Sequence, residues 1–335
     1  MAEPVLPTMQ RQPPKPLIIF TTVIYYLVFV PIDWILKSVF HRPGIVIVMS
    51  RRMKKMEAKL KQAFAGYTPT EHDVLVCNFS KSGTNWLMQM AYQIAFLGEG
   101  EFSNIHDVVP WPDFPTPNAK RLMLPLTNIV VQEKSPVHMR VIKTHLAANT
   151  VPYNDKARYI TVIRDPKDIF VSSYFFMTGF YGRVMPIREN WLKSYLSENF
   201  PISFGVTWAQ HVASYWAWRD RPNVLILSFK DMKKDLPGTV RRVAEFMAVD
   251  LTPAQFDRVV EKSSFEYMKA IDDHFLPFAR NAFPWMTTSM IRSGKEGNSK
   301  ELITLEEQQR IDAYFMNQLK ELGSDFPYAE FCRIA

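Results

Sequence analysis

Two short segments bring together residue types that handle anions. The first, Ser80-Lys81-Ser82-Gly83-Thr84-Asn85-Trp86, lies between a short apolar run and an apolar stretch of helical length. Amides at a helix N-terminus lack intrahelical partners and point at whatever lies in front of them, so such a junction stabilises an anion. Gly83 lets the backbone come close, Ser82 and Thr84 add hydroxyl donors, and Lys81 adds a full charge. An ordinary turn with an exposed lysine is the plainer alternative. The GxxxxGK[ST] pattern of nucleoside-triphosphate loops is absent, which argues against an ATPase or nucleoside kinase. The second segment is Arg164-Asp165-Pro166. Asp165 suits an N-cap and Pro166 the first helical position, so a helix is predicted to start directly after Arg164. That arginine then sits at a strand end beside a helix N-terminus, where it suits bidentate phosphate contact. Ser172 shares a face of the same helix with Asp168. A structural arginine paired with a carboxylate is the alternative here.

The elements that must position these residues are apolar runs of strand length. They are Val74–Phe79, Val141–Ile142 leading into Lys143-Thr144-His145, Arg158–Ile163 ending at Arg164, and Val224–Phe229. Leu87–Leu97 reads as a buried helix. Near-continuous apolar strands separated by helical stretches indicate an α/β fold, a parallel sheet with helices on both faces. The polar residues of interest fall at the C-terminal strand ends, where ligand crevices of open α/β sheets lie. Gly66-Tyr67-Thr68-Pro69 reads as a linker, so residues 65–335 are expected to form one domain and residues 1–64 an arm.

The net charge of +7 belongs to that arm. Residues 1–62 carry ten Lys and Arg against three Asp and Glu, while the remaining 273 residues balance. No basic face of the folded domain is required, so nucleic acid is not an expected partner. Pro16–Ile32 contains no charged residue, and the apolar run resumes after Asp33 as far as Lys37. A span needs about 20 mostly apolar residues, so the run is of borderline length for an anchor helix. No small-residue cleavage site follows it, which favours an anchor over a cleaved signal. If the run spans, basic residues from Lys37 to Lys55 place the catalytic portion on the cytoplasmic side, and residues 51–64 read as a basic amphipathic helix on an anionic surface. Residues 16–55 are thus expected to associate with a membrane, either spanning it or lying in its interface. A helix packed on a soluble cytoplasmic protein is the alternative. Cys77 and Cys332 show no disulfide or metal-ligand spacing and read as two buried thiols.

The loop Ser80–Trp86 resembles the PKSGTTW phosphosulfate loop of the cytosolic-type sulfotransferases, which use 3′-phosphoadenosine 5′-phosphosulfate (PAPS). Ser80 and Asn85 replace the proline and the second threonine. Three further segments resemble that family in the same order. Lys143-Thr144-His145-Leu146 is identical to its KTHL form. Arg164–Phe176 is similar to its RNxKDxxVSxYxF segment, which holds the 3′-phosphate. Arg292-Ser293-Gly294-Lys295-Glu296-Gly297-Asn298-Ser299-Lys300 resembles its RKGxxGDWK loop, with Ser293 in place of lysine and Asn298-Ser299 in place of the DW pair. Together these cover about residues 70–305.

The resemblance implies a P-loop-like fold and a role for each matching residue. His145 matches the catalytic base, with Lys81 and Lys143 beside it and Ser172 at the 3′-phosphate. Arg164, Arg292 and Gly294 match the phosphate clamp, with Ser293 at the position of its lysine; Ser82, Gly83, Thr84 and Asn85 complete the loop. Trp86 and Phe229 match residues that sandwich the adenine, and Ser263 one near its amino group. Ser203-Phe204-Gly205 with Trp208 and His211 resembles a packing and pocket-wall region. The family's dimer pattern falls on Lys300, Thr304, Leu305 and Gln309 with two replacements, so no oligomer is carried over. PAPS is the implied co-substrate, with no metal. Phe175, Phe176, Met177, Phe180, Tyr181 and Met185 read as an apolar acceptor pocket or equally as core. A lipophilic alcohol, phenol or sterol is the expected acceptor class, amines being included. A membrane-associated nucleotide-binding scaffold without turnover is the alternative function.

Overall fold

Four short segments rich in branched aliphatic residues form the centre of the protein. They appear in a computed structural model that describes residues 12–52, 60, 62–114, 122–279, 282–292 and 302–335. The strands β1 (Asp73–Cys77), β2 (Arg140–Thr144), β3 (Arg158–Ile163) and β4 (Val224–Ser228) are parallel, in the order β2-β1-β3-β4. Side chains alternate between the two faces of a strand, and both faces here are dry. Val74, Val76, Val141, Ile160 and Val162 enter one core, whereas Leu75, Cys77, Ile142 and Tyr159 enter another. Unbroken apolar runs are what such a doubly covered sheet demands. Phe79 and Phe229, expected as strand ends, leave the sheet for a loop and a short helix.

The helices that matter to the site are, in chain order, α1 (Lys15–Ser38), α2 (Ile45–Arg52), α3 (Thr84–Ala95) and α4 (Pro166–Tyr181). They are followed by α5 (Trp208–Trp216), α6 (Leu236–Met247), α7 (Pro253–Lys262) and α8 (Leu305–Glu321). One sheet face is covered by α3, α6 and α7 through Leu87, Met90, Val240, Val243 and Val259. On the other, Tyr215 of α5 packs on Leu75 and Tyr159. A second apolar cluster joins α4, α5 and α8 through Phe170, Trp208 and Phe315.

Helix α4 begins as its sequence predicts. Asp165 Oδ1 accepts a hydrogen bond from the Lys167 amide at 2.9 Å, with Pro166 at the first helical position. Such a cap contributes about 1 kcal/mol. Lys167 itself is buried and paired with Asp312 of α8, whose carboxylate also accepts from the Tyr328 hydroxyl at 2.5 Å.

Helix α1 does not stand apart from the domain. Tyr25 and Val46 are buried in the same cluster as Ile169 and Met177. Within α1, Tyr25–Phe29 forms a π-turn in which the Val30 amide reaches back to the Tyr25 carbonyl. Pro31, which follows, lacks an amide donor and crowds the preceding turn, and this widened turn accommodates it. Of the basic helix expected over 51–64, residues 53–59 and 61 lie outside the described residues.

Candidate active site

Asn78, the first residue beyond β1, ties three strand ends together. Its amide donates to the Thr144 carbonyl at 3.2 Å, and its Oδ1 accepts from the Val162 amide at 2.8 Å. Its own carbonyl lies 2.6 Å from Nδ1 of His145. A carbonyl only accepts, so Nδ1 carries the proton and Nε2 keeps its lone pair. The ring packs against Trp111 and Phe204, with centroids 5.3 and 4.6 Å away. Burial, reinforced by the Lys143 charge, holds the imidazole well below its usual range, so it is neutral at pH 7. Asp113 fixes the main chain at this point by accepting from the His145 amide at 2.9 Å. Burial pushes that carboxyl up, against hydrogen bonds from the His145 amide and the Thr144 hydroxyl.

Two lysines flank the histidine. The ammonium of Lys81 lies 3.8 Å from the centre of the Phe176 ring, and that of Lys143 lies 3.2 Å from the centre of Trp111. Aromatic faces attract cations, but far less than water hydrates an ammonium group. Burial therefore lowers both lysines to about 7; the Arg164 charge adds to the effect on Lys81. The site thus holds cations that gain from an anionic ligand.

The loop that carries Lys81 is shaped for close approach. Lys81 adopts φ +65° and Gly83 φ +96°, both left-handed. A Cβ at Gly83 would lie 3.0 Å from the Phe229 ring. Arg164 donates through Nη1 to the Lys81 carbonyl at 2.9 Å and stacks 4.4 Å from the Phe229 ring centre. Its own carbonyl accepts from Trp208 Nε1 at 3.1 Å. The hydroxyls of Ser82 and Thr84 are buried with no hydrogen-bond partner among the described residues.

These residues open on one cavity of about 1380 Å³. It is lined by Lys81, Gly83, Thr84, Asn85, Trp86, Lys143, His145, Arg164, Ser172, Phe229 and Arg292. Arg292 reaches it with its guanidinium 4.4 Å from the Phe175 ring centre. Ser293 and Gly294 lie outside the described residues, as does the rest of that loop through Lys300. Two expected contacts take a different form. Ser263 is fully buried and off the cavity wall, and it is its carbonyl that accepts from Trp86 Nε1 at 2.8 Å. The rings of Trp86 and Phe229 meet edge to face, 5.7 Å apart at 75°, forming a corner rather than a parallel slot. Ser82 likewise sits behind the wall. Of the six candidate apolar residues, Phe175, Phe176, Met177, Phe180 and Tyr181 line the cavity, and Met185 belongs to the core.

Sequence reasoning missed Asn78, Trp111 and Asp113. The segment Trp111-Pro112-Asp113-Phe114, an acid between aromatic residues, was the one available signal. It also missed Tyr25 and Phe29 of α1, which line the same cavity.

Comparison with known proteins gives a consistent result. The family model described as "Sulfotransferase domain" matches residues 71–323. Sulfotransferase 1C2 of Oryctolagus cuniculus is 26% identical over 267 residues, covering 76% of this chain and 85% of that protein. The 3-alpha-hydroxysteroid sulfotransferase of Cavia porcellus is 27% identical over 256 residues, covering 74% and 84%. Among solved structures, retinol dehydratase in complex with androsterone and inactive cofactor PAP superposes with a TM-score of 0.64. It is 20% identical, covering 82% of this chain and 88% of that one, and this likeness bears on the fold.

Proposed function

The chain belongs to the sulfotransferase-domain family and is a sulfotransferase, and from that premise we propose that it transfers the sulfuryl group of PAPS to a hydroxyl, or an amine, of a small lipophilic acceptor, with His145 as the base. The observation that carries this reading is the convergence of Lys81, Lys143, the neutral His145 and Arg164 on one cavity. The residues present fit an adenine nucleotide bearing two anionic ends. The buried Thr84 hydroxyl on the cavity wall lacks a partner among the described residues, and Gly83 brings left-handed backbone to that wall where a Cβ would press on the Phe229 ring. PAPS would supply an activated sulfuryl group on its 5′-phosphate.

Sulfuryl transfer resembles phosphoryl transfer in needing in-line attack and charge stabilisation, with little covalent work for the protein. His145 Nε2 takes the acceptor's hydroxyl proton as the new S–O bond forms and the bond from sulfur to the 5′-phosphate oxygen breaks. Lys81 neutralises the charge left on that oxygen, and Lys143 steadies the peripheral sulfuryl oxygens. Arg164, Ser172 and Arg292 hold the 3′-phosphate, while Trp86 and Phe229 give the base an aromatic corner. The apolar walls at Phe175, Phe176 and Phe180 suit a sterol, phenol or long-chain alcohol. The named activity of the steroid sulfotransferase relative agrees with that class. Membrane association through residues 16–55, with the catalytic portion facing the cytoplasm, completes the reading. It is supported by the exposed apolar surface of α1.

The test is transfer of labelled sulfate from PAPS to a panel of phenols, sterols, long-chain alcohols and amines by the full-length protein. Label on any acceptor supports the reading. Tight binding of adenosine 3′,5′-bisphosphate with no transfer across the panel would favour the scaffold alternative.

A further inference from the structure

We propose that α1 lies along the membrane surface instead of crossing the bilayer, and that it walls the acceptor cavity so that a lipid-dissolved alcohol enters from the leaflet; this rests on the sulfotransferase reading above. Length does not decide between the two placements. The helix has 24 residues, about 36 Å at 1.5 Å per residue, against a hydrocarbon core of about 30 Å.

What decides is how the middle of α1 is fastened. The Tyr25 hydroxyl donates to the Tyr181 carbonyl at 2.7 Å and accepts from the Arg183 amide at 2.8 Å. Its ring stacks on Trp285, centroids 4.1 Å apart and planes within 5°. Twelve residues on, Lys37 donates to the Met185 carbonyl at 2.9 Å and pairs with Asp33 at 2.5 Å. Asp33 also accepts from the Ile45 amide at 2.9 Å, tying α2 into the same clasp. From Tyr25 to Lys37 is about 18 Å of helix, held at both ends to residues 181–185, the segment that carries Arg183. A spanning α1 would draw Asp33, Lys37 and Arg183 into hydrocarbon, where ionised groups are costly. A helix lying in the interface leaves them at headgroup depth.

The uncovered surface points to lipid as the occupant. Leu27 is 72% exposed, Ile19 65%, and Phe20 and Trp34 61% each. A protein groove covers one stripe of a helix; here the most exposed residues from Pro16 to Ile35 are apolar or aromatic, which suits a fluid apolar solvent. Trp34 matches the interfacial preference of its residue type, and Lys15 and Arg42 flank the run.

The link to chemistry is the π-turn. It sets Tyr25 and Phe29 on the domain side, and both line the cavity that Lys143 and His145 also line. Val46 and Met49 of α2 extend that wall. An apolar passage thus runs from the lipid-facing helix to the base, with the Tyr25–Trp285 stack as a seal.

Two measurements test this on the full-length protein. In sealed vesicles of phosphatidylcholine and phosphatidylserine, external protease should remove an N-terminal tag and digest the catalytic domain alike. A tag protected while the domain is digested would mean that α1 spans. Leu27→Lys with Trp34→Lys, on the outer face, should raise the KM for 1-hexadecanol presented in those vesicles at least tenfold. The KM for 2-naphthol in water should stay within twofold. If both alcohols respond equally, or hexadecanol is unaffected, entry from the leaflet is wrong. Entry from the leaflet is equally wrong if the unaltered protein sulfates 2-naphthol but never hexadecanol. If it sulfates neither and labels nothing on the acceptor panel, the proposed transfer itself has failed.

Discussion

Nδ1 of His145 donates to the Asn78 main-chain carbonyl across 2.6 Å, which leaves Nε2 as the imidazole's one proton-accepting atom. His145→Ala should therefore lower kcat by roughly 10²–10⁴, the usual contribution of a positioned base. Binding of adenosine 3′,5′-bisphosphate, measured by calorimetry, should stay within a few-fold. Loss of nucleotide binding would mark the histidine as structural.

Arg164 serves the loop as well as the ligand, since its guanidinium donates to the Lys81 carbonyl and stacks on Phe229. Arg164→Ala should weaken adenosine 3′,5′-bisphosphate by roughly 10- to 100-fold, in line with about 1.5–3 kcal/mol for a charge-assisted hydrogen bond. Arg164→Lys should recover less than half of the lost free energy, because a point charge cannot bridge carbonyl and phosphate together. Unchanged nucleotide affinity in Arg164→Ala would refute the 3′-phosphate role.

Lys81 and Lys143, both lowered to about 7 by burial, give binding a pH signature. A phosphate ligand raises both values again, so above pH 7 each deprotonated lysine must take up a proton on binding. Affinity should then fall as pH rises from about 7 toward the bound-state values, by up to about tenfold per unit for each lysine. Calorimetry at pH 8 in two buffers of different ionisation enthalpy should report net proton uptake. Lys81→Arg, which stays charged, should remove part of it. Zero uptake at pH 8 in the unaltered protein would overturn this account.

Gly83 carries both a backbone and a space requirement, at φ +96° with the Phe229 ring 3.0 Å from a would-be Cβ. Gly83→Ala costs about 1–2 kcal/mol for the left-handed conformation and must also displace the ring. The expected result is nucleotide affinity reduced at least tenfold with a smaller fall in melting temperature. Full affinity would show that the loop relaxes freely.

The strand ends and the start of α4 were legible because their signals are local. Arg158–Ile163 and the Asp165-Pro166 cap depend on neighbours within a few residues, and both appear where expected. The converging positions of Lys81, His145 and Arg164 followed from their places at strand ends. Asn78 was not legible, since its three bonds join β1 to residues more than 60 positions away. The clasp of Tyr25 on residues 181 and 183 leaves no periodic trace either, so whether α1 packs on the domain stayed open in the sequence. Ser263 shows a subtler limit. A short side chain beside a pocket can serve through its carbonyl, which residue type does not reveal.

A buried ion network holds the base of α4. Lys167 is buried and paired with Asp312, Asp165 lies 3.3 Å away, and the Arg333 guanidinium reaches Asp168 at 3.0 Å. These pairs fasten the C-terminal segment to the helix whose N-terminus stands behind Arg164. Asp312→Ala would leave the Lys167 ammonium with only Asp165 and the Arg333 carbonyl as partners, at a cost below the about 3–5 kcal/mol of a wholly uncompensated buried charge. Lys167→Met with Asp312→Leu removes both charges at similar volume and should recover part of that stability, since the Tyr328 hydroxyl still loses its acceptor. A thermal melt compares the two, with the single variant expected well below the double. If the single variant melts like the unaltered protein, Asp165 and the Arg333 carbonyl suffice for Lys167, and the pair with Asp312 does not hold α4 in place.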